Sequence, residues 1–319
     1  MGNSVQASGL GIEFEGAFQA AAGGVEKHIG IEYVFARLGW VSWGVASIMT
    51  MTTEVFQPTI GAEFAQYKDV LERNARRTIE IQLKGVPVDG GDIPAAVAAN
   101  PAGSRVGGPA LVTADYPWPV APDGAHMFHL AQFNLTELPP LAGYPDSGVL
   151  QFFAAADDTY GLDYQEAGSR VRLIPAAQVD SGHLEWHNHE HEYEESPITG
   201  GYFEVTGQLY DQLPLSPDKE LKGLHDSLPT DYDEPGFNAL WDFLLNLPTT
   251  VLGPGWAFFT QWDPRPDDSD LQLLFHLDTF SDNGVEVMFG DVGVVNFFIT
   301  PTDLANQHFE NTFYHWDCY

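Results

Sequence analysis

Residues 273–299 read LLFHLDTFSDNGVEVMFGDVGVVNFFI. Leu274, Phe275 and Leu277 spell a buried strand interrupted by two polar side chains, His276 and Asp278. A turn-forming run follows at Ser281-Asp282-Asn283-Gly284, and then alternation through Val285, Val287 and Phe289 predicts a second strand. Gly290 and Gly293 end it where backbone of positive φ is expected. Val294 to Ile299 is apolar, too short for an ordinary helix and rich in strand formers.

The same grammar occurs once before. Leu130-Ala-Gln-Phe-Asn-Leu135, followed by Asp146-Ser-Gly-Val-Leu-Gln-Phe-Phe153, matches Leu274-Phe-His-Leu-Asp-Thr279 followed by Asp291-Val-Gly-Val-Val-Asn-Phe-Phe298. Upstream, Val106-Gly-Gly-Pro109 has a counterpart in Leu252-Gly-Pro-Gly255. Three segments in one order at nearly constant spacing argue for an ancestral duplication of about residues 104–156 and 252–300, and the period is too long for a solenoid. The expected fold is α+β and strand-rich: two pseudo-repeated β-rich halves packed together, with a few peripheral helices.

These segments also carry a family resemblance. Ser104-Arg-Val-Gly-Gly-Pro109, Tyr116-Pro117, the strand at 130–135, Phe259-Thr-Gln261 with Asp263-Pro-Arg265, Gly290-Asp-Val-Gly293 and the ending Tyr314-His-Trp-Asp-Cys318 together resemble the YwqG family, also called DUF1963. The resemblance spans roughly Thr78 to Tyr319. It implies a bacterial protein of mixed α and β structure and brings no activity with it. Residues 1–53 lie outside it, as an over-long start or a genuine N-terminal extension docking Trp40 and Trp43, and 54–319 is expected to be a single domain.

Composition narrows the function classes. The 319 residues carry a formal charge of −32. Residues 180–319 hold 26 acidic and 3 basic side chains and so supply −23 of it. Such a surface repels nucleic acid and anionic membranes and would attract cationic partners; the bland alternative is a charge that serves solubility alone. One cysteine, Cys318, forms no internal disulfide and fits a reducing compartment. The apolar run from Leu38 to Met51 is shorter than a membrane span and is preceded by acids, so a cytoplasmic location is expected.

Gly61 to Arg77 is predicted as an amphipathic helix with Phe64, Tyr67 and Leu71 on one face and Arg73, Arg76 and Arg77 in its last turn. Phe237 to Leu247 is a second helix, and Thr302 to Phe309 a third, opened by Thr302 and Asp303. Between them, Ser181 to Glu195 reads SGHLEWHNHEHEYEE. Its His187, His189 and His191, with Glu185, recur at period two and project from one face of a strand, where imidazole and carboxylate suit zinc or nickel. The bland alternative is a solvated acidic edge.

No G-x-S-x-G elbow, H-E-x-x-H, phosphate loop or C-x-x-C occurs. The strongest candidate site is a polar set shared by the repeats: Gln132, Asn134 and Asp146 from the first, His276, Asp278 and Asp291 from the second. A two-fold between the halves would converge them on one cleft; alternatively, they bond to each other and fix register. Gln261, Asp263 and Arg265 are expected to brace a turn. The leading expectation is a non-enzymatic acidic interaction module, of immunity type, holding a basic protein. The alternative is a metal-dependent or hydrolytic enzyme using the inter-repeat cleft or the His187–His191 strand.

Overall fold

The computed structural model describes residues 54–187, 196–214, 224, 227–229 and 236–319, all within one of the chain's two compact units, Thr50–Tyr319. After β1 (Val55–Phe56) come a 3-10 turn at Ala62–Phe64, helix α1 (Lys68–Arg73) and strand β2 (Arg76–Pro87). The helix expected to reach Arg77 therefore ends at Arg73. Asn74 stops it by turning its side-chain amide onto the Val70 carbonyl at 2.7 Å, and β-branched Thr78, Ile79 and Ile81 favour extended backbone beyond.

The chain continues through α2 (Ala95–Ala99), β3 (Arg105–Gly107), β4 (Ala110–Val112), β5 (Phe128–Asn134), β6 (Val149–Ala154), β7 (Ser169–Ile174), α3 (Ala176–Val179), β8 (His183–Glu185), β9 (Ile198–Thr199) and β10 (Gly201–Gln212). It then forms α4 (Phe237–Leu245), β11 (Val251–Leu252), β12 (Gln272–Leu277), β13 (Phe280–Asp282), β14 (Val285–Val287), β15 (Val294–Ile299), α5 (Pro301–Asn306) and β16 (Phe313–Asp317). No helix among the described residues is long and apolar enough to cross a membrane.

One eleven-stranded sheet dominates, ordered β16-β15-β12-β11-β2-β10-β3-β5-β6-β7, with β1 alongside β10. Its spine is the antiparallel β2–β10 pair, in register from Pro87 opposite Gly201 to Arg76 opposite Gln212. Outward from that spine lie β3, β5, β6 and β7 on one flank, and β11, β12, β15 and β16 on the other. The register slips between His129 and Ala131 in β5, and between Leu273 and Phe275 in β12.

The sheet curls so that its flanks face each other. Phe152 of β6 lies 4.8 Å from Phe275 of β12 and 5.0 Å from Phe297 of β15, ring centre to ring centre, and Phe133 of β5 lies 5.1 Å from Phe275. These rings belong to the main core with Leu130, Leu274, Leu277 and Val295. The outer faces are covered too. Trp118, Ala121 and Met127 pack over Phe153 on the first flank, while Trp256, Phe258 and α4 residues Leu240 and Leu244 pack near Val294 on the second. Burial on both faces explains why β5, β6, β12 and β15 read as nearly unbroken apolar runs.

Local chemistry sets the connections. Asn283 and Gly284, with φ of 53° and 81°, form the two-residue turn between β13 and β14 that the sequence announces. At the end of the next strand the expectation holds for Gly290 (φ 57°), but Val292 (φ 52°), not Gly293, takes the second positive φ. Gly293 is required for space instead: a Cβ there would sit 2.2 Å from the Phe289 carbonyl oxygen and 2.5 Å from that of Asp317. The last helix starts earlier than expected. Thr300 is its cap, accepting from Asp303 N at 3.0 Å, and Pro301 occupies the first turn.

Candidate functional site

The polar side chains inside the apolar strands face the outer covers, not the space between the flanks. Strand alternation decides this: Phe133 and Phe275 point inward, so Gln132 and His276 point out. Gln132 is fully buried and all four of its hydrogen-bonding positions are used. Its oxygen accepts from Leu111 N at 2.9 Å and Gln151 Nε2 at 3.1 Å. Its amide donates to the Gly103 and Pro101 carbonyls at 2.8 and 3.1 Å. Gln151 also donates to the Leu111 carbonyl (2.8 Å) and accepts from Arg172 Nε (2.8 Å). Beside them Arg105, buried on β3, donates to Pro109, Asn100 and Pro101 carbonyls, and burial lowers its pKa to about 10.

The second flank has a parallel row. His276 pairs laterally with Asn296 and Asn296 with His315. Asn296 donates to the Phe258 carbonyl at 2.9 Å, so its oxygen faces His276 Nδ1 at 2.8 Å and that nitrogen carries the proton. Among the described residues His276 Nε2 is left as a buried lone pair with no hydrogen-bond partner, and Asp317 Oδ1 is a second buried acceptor in the same condition. Burial lowers the His276 pKa, against the Asp278 charge and the Asn296 hydrogen bond, which raise it.

The six site residues expected to converge therefore do not. Gln132 and His276 belong to separate rows under separate covers. Half-buried Asn134 caps its own turn by accepting from Thr136 N and Oγ1. Asp278 accepts from Thr249 Oγ1 at 2.6 Å and Thr279 N. Asp291 is exposed, its carbonyl taken by Tyr319 N. The register-fixing alternative describes Gln132 well, and it carries a large expected effect: Gln132→Leu strands several buried polar groups at about 1–3 kcal/mol each. Urea unfolding should show a loss of at least about 3 kcal/mol; a loss no larger than that of an exposed substitution would remove the network's structural role. Gln261 and Asp263 do brace a turn: Arg265, buried, forks onto Asp263 at 3.0 and 2.6 Å, and Gln261 N donates to Asp317 Oδ2.

A cleft does open between the flanks, at the end of the curled sheet where β2 begins. Its volume is about 1140 Å³, and its lining includes Arg76, Arg77, Leu141, Leu209, Asp267 and Asp270. An apolar groove of about 330 Å³ adjoins it under Leu138–Pro145, sharing Pro140 and Leu141 with it, and exposed Asp146 stands on its edge. Of the six expected residues only Asp146 lies here. Arg77 forks onto Asp211, Nε–Oδ1 2.5 Å, NH2–Oδ2 3.2 Å, which lowers the Asp211 pKa. The Arg76 guanidinium lies 3.7 Å above the Trp256 ring. The signal for this cleft was the arginine run itself, hidden by assigning it to a helix end.

The histidine strand is only partly in view, because His189 and His191 lie outside the described residues. Glu185 joins two neighbours, His183 Nε2 at 3.1 Å and His187 Nε2 at 3.0 Å. Burial pushes its carboxyl up, but the two histidines outweigh burial and hold it below the ordinary range. The His187 ring lies 3.9 Å from that of His126, a residue the sequence pattern did not connect to it. Among the described residues no three His, Cys, Asp or Glu side chains are placed to share one ion.

No curated protein matches the chain. The family described as "Domain of unknown function (DUF1963)" matches residues 104–318, a span running from the strand that carries Arg105 to the one that carries Asp317, and the chain belongs to that family.

Proposed function

We propose that the protein is a non-enzymatic acidic interaction module that holds a basic protein partner, in the manner of an immunity protein neutralising a cationic effector. The observation that carries this is the −32 charge, with −23 of it in residues 180–319. A field of that sign steers cations and rejects nucleic acid. The same reading takes the protein as cytoplasmic and its two flanks as products of a duplication. In support of the latter, the strand order is mirrored about β2–β10, both register slips fall at matching places, and Gln151 and Asn296 donate to carbonyls of Leu111 and Phe258 at matching places in the two covers.

Association with a basic host protein should be fast at low salt and slow steeply as salt rises, because screening beyond about 8 Å removes steering and leaves short contacts intact. Four acid-to-lysine changes between Asp218 and Glu234, most of which lies outside the described residues, should mainly lower the on-rate. If no basic protein is retained at moderate salt, the charge serves solubility alone. The concave shape of the inter-flank cleft, with polar side chains along an apolar lining, supports a second reading, a hydrolytic or ligand-binding site there. The Glu185–His187 contact favours a zinc or nickel version. Metal analysis of the purified protein tests the latter directly.

A further inference from the structure

Resting on the binding reading above, we infer that the partner is held at the corner formed by Trp262, Val292 and Tyr319, and that an arginine-bearing segment of the basic protein docks there. Hydrogen bonds bring the three segments together. Gln261 N donates to Asp317 Oδ2 and Gln261 Nε2 to the Cys318 carbonyl, both at 2.7 Å, and Tyr319 N donates to the Asp291 carbonyl at 3.1 Å. The side chains beside these bonds are turned to solvent: Trp262 is 62% exposed, Val292 47% and Tyr319 74%. Single exposed apolar residues are ordinary, but a group of them that includes a tryptophan marks an interaction surface.

Val292 adds an independent argument. It is β-branched yet holds φ at 52°, a conformation that glycine adopts freely and valine does not. Half out in water, it returns little packing to the fold for that strain, whereas a docked partner would cover it. Charge and ring chemistry then choose the occupant. Residues 256–319 supply the whole corner and hold eleven acidic side chains and one basic, Arg265, which is forked onto Asp263. Asp291 is exposed at the corner, and its carboxylate makes no hydrogen bond among the described residues. A guanidinium can lie on a tryptophan or tyrosine ring while its N–H groups meet a carboxylate in its own plane, a combination that lysine does not reproduce.

The test uses the full chain and two fluorescein-labelled peptides, one alternating arginine with glycine and one alternating lysine with glycine, followed by anisotropy at about 0.15 M salt. The arginine peptide should bind more tightly than the lysine peptide. Trp262→Ala/Asp291→Asn should weaken the arginine peptide by about tenfold, and Val120→Ala/Asp115→Asn, the same kind of change at exposed positions on the first flank's cover, by no more than about twofold. Val292→Gly should also weaken it while its melting temperature does not fall, because glycine accepts the positive φ, so the loss reads a contact and not the fold. Thermal melts establish that every variant is folded. A corner variant that matches the control pair overturns the assignment, as does a wild-type chain that binds the two peptides equally. So does a wild-type chain that retains a basic host protein but not the arginine peptide, and then the binding reading survives. A chain that retains neither loses both.

Discussion

Acidification from about pH 7 to about pH 4 should destabilise the protein steeply, through imidazoles buried in the neutral form. His129 is fully buried between Trp118 and Phe153, with Nδ1 3.1 Å from the Gly108 carbonyl. Burial, reinforced by the Arg105 charge, lowers its pKa to about 3. His276 and His315 are lowered as well, in each case by burial first. In the unfolded chain these rings take up protons near pH 6.5; in the folded chain they resist. The unfolded state therefore binds more protons throughout that interval. The stability contribution is complete above about pH 6.5 and is lost as pH falls toward the folded values. For His129 alone the loss by pH 4 is about 3 kcal/mol. Relief of carboxylate repulsion opposes it, so the decisive comparison is between two proteins sharing those carboxylates. His276→Gln places at that position the side chain that Gln132 supplies on the other flank. Its urea midpoint should fall less than the wild type's as pH drops; parallel curves would show that His276 is not a proton-sensitive element.

Phe152→Ala should be the most damaging single truncation. Its ring contacts Phe133, Phe275 and Phe297 and is inaccessible to solvent, so removing it leaves a cavity where the flanks meet and costs about 3–5 kcal/mol. That is a large share of the roughly 5–15 kcal/mol typical of a domain. Phe152→Leu should retain the fold at a smaller cost, and Val120→Ala, at a half-exposed position, should be nearly silent. Because the ring bridges both flanks, unfolding of Phe152→Leu should stay a single transition at a lower midpoint. Two separated transitions would mean that the flanks fold independently.

The strands that build the flanks were legible because each is buried on both faces. β5, β6, β12 and β15 left runs too apolar for a surface strand and too short for a helix, and Asn283-Gly284 announced its own turn. Gln132 and His276 were correctly conspicuous as polar interruptions. Alternation separates the two faces of a strand but does not say which face looks inward, so the expected convergence of those residues was placed on the wrong side of the sheet. Their partners Gln151 and Asn296 left a recoverable mark, each a lone amide just before two phenylalanines. The spine was less legible. β2 and β10 are separated by more than a hundred residues, and pairing across such a gap leaves no local pattern. The same gap hid the cleft, since Arg76 and Arg77 read as a helix end when the strand they begin is not recognised.

That long-range pairing governs the order in which the protein can assemble as it is made. β2 emerges from the ribosome early, yet its partner on one side is complete only at Gln212 and its partner on the other only at Leu252. Until then Ile79 and Ile81 belong to an unpaired strand whose neighbours have not been synthesised. Among the described residues the first flank's hydrogen-bonded link to the spine is β3, which pairs with β10, so it too must wait. Nucleation near the N-terminus therefore gains little, and productive folding is postponed until most of the chain is out, a schedule that favours slow, late collapse.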